Sequence, residues 1–170
     1  MRILLGITGG IAAYKAANLI RGLSELGHEV TVVPTENALR FIGKPTLESL
    51  SGHAIETDMY QDVAQVRHVE LGQQADLILI APATASFIAR YAAGIADDLM
   101  LNAILASNAP VVVCPAMHTE MWLNAATQNN VQTLSSRGVR VMEPASGRLT
   151  GSDTGLGRLP ETEDIIAFTL

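Results

Sequence analysis

Five short apolar runs recur along the chain, at residues 3–7, 30–33, 77–81, 111–114 and 139–142, and each is continuous rather than alternating. A strand with one wet face alternates apolar and polar residues, whereas a strand covered on both faces does not, so these runs read as a parallel sheet under helices. The intervening segments carry helical periodicity. In residues 11–26, Ala12, Ala16, Leu19, Ile20, Leu23 and Leu26 trace one stripe, and Gly27 ends it. Residues 84–93, 98–106 and 125–137 behave alike, with Gly138 closing the last. Strand and helix in alternation predict an α/β fold: one domain with a doubly wound, Rossmann-like parallel sheet and helices on both faces. Residues 34–75 are less regular; short helices are expected near 36–42 and 46–51 and an extended piece at 66–71. Residues 144–160, PASGRLTGSDTGLGRLP, hold four glycines and few large apolar side chains. That composition predicts an unburied linker or a functional flap. A weak helix is expected at 161–168.

Composition narrows the class. A chain of 170 residues makes one domain, and 48% hydrophobic with 16% charged residues excludes a disordered chain. Aromatics are only 4%, so Ala, Val, Ile and Leu must fill most of the core. A net charge of −6 without a basic cluster argues against a nucleic-acid partner. The single cysteine, Cys114, excludes a disulfide framework and a cysteine-rich zinc site, and fits a reducing compartment. The N-terminal apolar run is broken by Gly6, Thr8, Gly9 and Gly10, and Lys15 and Arg21 follow, which is not a secretory leader. No stretch reaches the roughly 18–20 apolar residues of a membrane span. The expected location is cytoplasmic.

Ligands of open parallel sheets bind at the carboxyl ends of the strands, beside helix N-termini. The first end reads Gly6-Ile7-Thr8-Gly9-Gly10-Ile11-Ala12. Such a turn either needs glycine for its tightness alone or lets the backbone approach a phosphate. Its spacing matches neither GxGxxG nor a Walker A loop, and suits a mononucleotide better than a dinucleotide. Another end, Pro82-Ala83-Thr84-Ala85-Ser86, offers two hydroxyls as helix caps or as a second wall of the same site. A further end gathers Cys114, Met117, His118, Met121 and Trp122. Cys114 reads as core, whereas His118 lies just past the strand, where ligands bind. His28 and His53 read as surface turn residues. His68, in RHVELG, would serve as a general base if the fold brought it to a ligand. No two histidines share ligand spacing, so no metal site is expected.

Taken in order, the blocks GITGGIAAYK, RHVELGQQADL, APATASFIARYAAGIADDL and PAMHTEMW resemble the flavin-containing cysteine decarboxylases over about residues 3–161. The likeness is strongest to the branch acting on 4′-phospho-N-pantothenoylcysteine in coenzyme A biosynthesis, and GRLTGSDTGLGRLPE fills the place of that family's substrate-clamping flap. The resemblance implies FMN, with its phosphate near Gly9, Gly10 and Ile11 and its ribityl and ring near Thr35, Pro82, Ala83, Thr84, Ser86 and Met117. It assigns His68 as the catalytic base and Ala116, Met117, His118, Met121, Thr150, Gly151 and Asp153 to the substrate. It further implies homo-oligomers built from trimers, often dodecamers with FMN between subunits, and a fused phosphopantothenate–cysteine ligase domain beyond Leu170. Three positions depart from the family pattern. His118 replaces an asparagine, Ser86 and Phe87 replace Asn and Thr, and Gly151 stands where many coenzyme A enzymes carry a proton-donating flap cysteine. The lost thiol leaves Asp153 or a water as donor. It also leaves open oxidative decarboxylation of a C-terminal peptide cysteine to an enethiol, and a non-catalytic flavin-binding regulator is a further alternative.

Overall fold

In the computed structural model, which describes residues 1–58, 60 and 66–170, the apolar runs become strands β1 (Arg2–Ile7), β2 (Glu29–Pro34), β3 (Leu77–Ala83), β4 (Val111–Pro115) and β5 (Arg140–Val141). They form one parallel sheet in the order β2-β1-β3-β4-β5. Every residue of β3 and β4 is buried, as are five of the six in β1, which is why these runs do not alternate.

The two faces are covered by different helices. On one face α1 (Ala16–Glu25), α2 (Lys44–Ser51) and α8 (Thr162–Thr169) pack Leu19, Ile20, Leu23, Leu47 and Ile165 against Ile3, Leu5, Ile7, Leu77 and Leu79. On the other, α3 (Arg67–Gln74), α4 (Ala85–Ala93), α5 (Leu99–Leu105) and α7 (Ala125–Ser136) pack Leu71, Phe87, Ile88, Met100, Ile104 and Leu134 against Leu4, Ile78, Ile80 and Val113. Each of these large aliphatic side chains contributes roughly 1.5–3 kcal/mol by leaving water. The doubly wound expectation holds.

Two local expectations do not, and a third, the short helix near 36–42, is met only in part. Residues 66–71, read as extended, begin α3 instead. Its register is fixed by packing: Leu71 is buried, and a Cβ at Gly72 would sit 2.4 Å from the Ala103 carbonyl oxygen, so α3 lies close against α5. Arg67 adds an i,i+3 pair to Glu70 at 3.0 Å. Near 36–42 only a 3-10 turn, Ala38–Arg40, forms, tied to Thr35, whose carbonyl and hydroxyl oxygens both accept from the Ala38 N–H. The 144–160 segment is an antiparallel hairpin, β6 (Ala145–Arg148) and β7 (Thr154–Arg158), and it is buried where it meets the domain at Pro144, Gly157, Leu159 and Pro160. Few bulky side chains did not mean few contacts, because its backbone itself packs.

The strand order reverses between β1 and β3, since β2 lies on one side and β4 and β5 on the other. That switch point opens a crevice at the carboxyl edge, where the crossover connections diverge.

Candidate active site

Thr8 closes the crevice floor. This buried residue donates its hydroxyl to the Pro82 carbonyl at 2.7 Å and accepts from the Thr84 N–H at 2.9 Å, while its own N–H also reaches Pro82 O. The ends of β1 and β3 are thereby stitched together under the loop Gly9-Gly10. Gly9 is packed on Asn37, whose Cβ would lie 2.5 Å from an added Cβ, so it shapes the turn. Gly10 differs: an added Cβ would meet only Thr84 Cγ2, at 3.6 Å, and Gly10 faces a cleft. The chain continues as a 3-10 turn, Ile11–Lys15, into α1.

The cleft has a volume of about 800 Å³, within the roughly 300–1,000 Å³ of small-molecule sites. Four segments wall it: the turn from Gly10 to Lys15, Thr84 and Ala85 after β3, Ala116 to His118 with Met121 after β4, and the β6–β7 hairpin. Ile11, Tyr14, Phe41, Met121 and Leu149 give it apolar surface. Thr84 caps α4 by accepting from Phe87 N, which holds its position at the rim.

Two glycines let the hairpin lie on the β4 end. Gly157 accepts a hydrogen bond from Met117 N at 2.9 Å, and a Cβ there would lie 2.1 Å from Met117 O. A Cβ at Gly155 would lie 2.3 Å from Thr119 Oγ1. Side chains at either position would lift the hairpin off α6 (Thr119–Leu123) and the residues before it.

Charges in the cleft are mostly positive. Lys15, whose side chain is 14% exposed, donates to Leu159 O at 3.2 Å and to Glu161 Oε2 at 3.1 Å. Arg158 pairs with the other oxygen of Glu161. Burial, and then the nearby Arg158 charge, hold the Lys15 ammonium below its ordinary pKa. Arg148 donates to Gly151 O at 2.8 Å within the hairpin.

Of the residues singled out in the sequence, Gly10, Ile11, Thr84, Ala116, Met117, His118, Met121 and Thr150 line this cleft together. Asp153 approaches it through His118, whose Nδ1 is 4.0 Å from Asp153 Oδ2. Gly9, Thr35, Pro82 and Ala83 form the supporting turns, with Pro82 and Ala83 buried. Ser86 is exposed in the first turn of α4, and Gly151 is at the exposed tip of the hairpin. His68 does not line the cleft. It sits in the first turn of α3, at the carboxyl edge because α3 runs back into β3, and α3 covers the opposite face from α1. Its Nδ1 is buried without a hydrogen-bond partner among the described residues. Sequence reasoning overlooked Tyr14, Phe41, Lys15, Arg148 and Arg158 as wall residues. The cations stand one turn after the glycine loop and on the two hairpin strands, where no sequence motif marks them.

The family model named Flavoprotein matches residues 1–170. The chain belongs to the Flavoprotein family. The coenzyme A biosynthesis bifunctional protein CoaBC of Mycolicibacterium smegmatis is 59% identical over 164 residues, 96% of this chain and 40% of that protein. The chain thus spans about two fifths of the length of the curated relatives it matches. A solved PPC decarboxylase complexed with pantothenoylaminoethenethiol superposes with a TM-score of 0.88 at 32% identity, covering 98% of this chain and 94% of that one. The FMN-dependent cysteine decarboxylase SpaF gives 0.81 at 32% identity, over 100% and 98%. This Flavoprotein chain therefore shares both the fold and the family read from its sequence blocks. Among its described residues, no helix is long and apolar enough to cross a membrane, and no cluster of side chains could hold a metal ion.

Proposed function

We propose that this chain is an FMN-dependent phosphopantothenoylcysteine decarboxylase, converting 4′-phospho-N-pantothenoylcysteine to 4′-phosphopantetheine. The observation that carries the reading is the cleft at the β1–β3 switch point, open on one side to Gly10 and closed on another by a glycine-docked hairpin. Its residues fit FMN. At Gly10 only a hydrogen occupies a position where a Cβ would enter the cleft, so backbone can approach a phosphate there, with Ile11 following. Ile11, Tyr14, Phe41 and Met117 supply the apolar surface a planar ring needs, and Thr84 the hydroxyl rim. Thr35, Pro82, Ala83 and Ser86 shape the loops around it.

Bound FMN would supply the two-electron chemistry that makes the cysteine side chain an electron sink for the departing carboxylate. The protein's part is proton transfer, orientation and exclusion of water. His68 takes the thiol proton, its imidazole serving as the general base. His118, the residue that caps the start of α6, donates a hydrogen bond to the substrate carboxylate, with Asp153 across from it on the hairpin. The hairpin covers the substrate and strengthens these charge contacts by keeping water out.

His68 belongs to this cleft when a second copy brings its α3 against it. Ile11 and Tyr14, 63% and 60% exposed, leave apolar surface at the cleft for that neighbour. An oligomer built from trimers would cover that surface, and the bifunctional relatives, of which this chain spans about two fifths, support a fused ligase domain. The test is His68→Asn: flavin stays bound at wild-type stoichiometry and product formation is abolished, whereas wild-type rates would remove His68 from the mechanism.

A second reading has its own support. The hairpin holds no thiol, since Gly151 is at its tip and Cys114 is buried in β4, and SpaF has the same 32% sequence identity as the PPC decarboxylase, at a lower TM-score. Without a proton donor the reaction would stop at an enethiol on a C-terminal peptide cysteine. Product mass from the two substrates offered side by side separates the readings.

A further inference from the structure

The cleft of this acidic protein holds three cationic side chains, Lys15, Arg148 and Arg158, and one carboxylate, Glu161. Lys15 and Arg158 share that single carboxylate, one on each oxygen. Both are held in place rather than swinging in solvent. Lys15 is mostly covered and also donates to Leu159 O, and Arg158 lies over Gly147, where an added Cβ would be 3.1 Å from its Nη1. Arg148, on the neighbouring hairpin strand, lies toward the tip, where it donates to Gly151 O, and lines the same cleft as the other two cations. One carboxylate cannot neutralise three cations, and the charge of Arg158 already opposes protonation of Lys15. A dianion placed among them would relieve that repulsion.

We infer that Lys15, Arg158 and Arg148 form a subsite for the phosphate monoester at the distal end of the substrate, and that Glu161 occupies it when substrate is absent. The inference rests on the decarboxylase reading and goes beyond it, because it names what selects the phosphorylated substrate over an unphosphorylated pantothenoyl or peptide cysteine. Arg158 and Arg148 present guanidinium donors that match phosphate oxygens, and Lys15 adds a point charge from the floor. Both arginines are on the hairpin, so phosphate binding would also help to hold the hairpin docked.

Equilibrium binding to the FMN-loaded protein tests this without turnover, using 4′-phosphopantetheine and pantetheine as probes. The wild type should bind the phosphorylated probe more tightly, by roughly ten- to a hundredfold, the range of one or two charge-assisted hydrogen bonds. Arg158→Gln and Lys15→Gln should each erase most of that preference and leave pantetheine affinity unchanged. Glu161→Gln should do the reverse and tighten the phosphorylated probe, a gain that a folding defect cannot imitate. The preference should also shrink with added salt. Equal binding of both probes, or variants that keep the wild-type ratio, would overturn the subsite while leaving the decarboxylase reading intact. Failure of both probes to bind would overturn both. A third arm compares FMN with riboflavin on the apoprotein: if the variants lose discrimination there instead, the cations hold the cofactor's phosphate and the inference is wrong.

Discussion

Gly157→Ala should undock the hairpin without unfolding the domain. The new Cβ would start 2.1 Å from Met117 O, so the strand must retreat by about 1.3 Å or more to reach an ordinary contact. Gly157 also has φ of +144°, a region that alanine enters only at a cost of roughly 1–3 kcal/mol. Retreat would break the 2.9 Å bond from Met117 N, worth roughly 0.5–1.5 kcal/mol. Together the docked hairpin would lose roughly 2–4 kcal/mol, a shift of about thirtyfold to several hundredfold in the docking equilibrium. Hydrogen exchange at the Met117 amide should accelerate by that factor, and trypsin should cut after Arg148 and Arg158 much sooner. The melting temperature should move little, because β1, β3 and β4 are packed elsewhere. Gly151→Ala is the control: its φ is +72°, but an added Cβ meets nothing within 4 Å, so only turn strain of about 1 kcal/mol applies and docking persists. Wild-type Met117 protection in Gly157→Ala would refute the account of how the hairpin is held.

Gly10→Asp has room for its Cβ, so the variant should fold with the melting curve of the flavin-free wild type but purify without flavin; full flavin content would displace the phosphate from this loop. The Cys114 thiol is fully buried, which pushes its pKa up to about 12. It should resist a thiol reagent at pH 8 in native buffer and react once per chain in denaturant, and prompt native labelling would contradict the packing. Asp76 accepts from both the backbone and the side chain of Arg2, which hold its carboxyl below the ordinary value of 3.8. This contribution is present above that value and lost as pH falls through the lower folded value. Asp76→Asn should therefore lower the melting temperature at pH 7, with a deficit that narrows below pH 3.8, and a deficit independent of pH would mean that charge is not the cause.

The fold was legible because its main signal is local. Continuous β-branched runs such as Val111–Val112–Val113 could be buried only on both faces, and helix caps such as Thr84 and Asp98, which accept from Phe87 N and Leu101 N, stand where the sequence changes period. What escaped was set by tertiary contact. RHVELG has too few apolar residues to declare a period, and its helix depends on Gly72 fitting against the Ala103 carbonyl on α5, a residue 31 positions away. The hairpin was misjudged for a related reason. Side-chain composition predicts burial when side chains make the contacts, but here Gly155 and Gly157 pack through their backbone onto Met117 and Thr119.

The site divides along the same line. The glycine turn, Thr84 and the segment from Ala116 to Met121 could be found from sequence because each follows a strand, and strand ends at the carboxyl edge converge by topology alone. Lys15 and Arg158 could not, because what gives them meaning is a shared carboxylate 146 and 3 residues away. A lone lysine on a helix and a lone arginine on a strand are ordinary surface residues in any sequence; only folding reveals that two of the chain's eleven cations meet at Glu161 in a cleft. His68 shows the remaining gap. Its position at the carboxyl edge follows from α3 preceding β3, yet within one chain it stands on the far face, so the proposed role as base is one that neither the sequence pattern nor the single chain spells out.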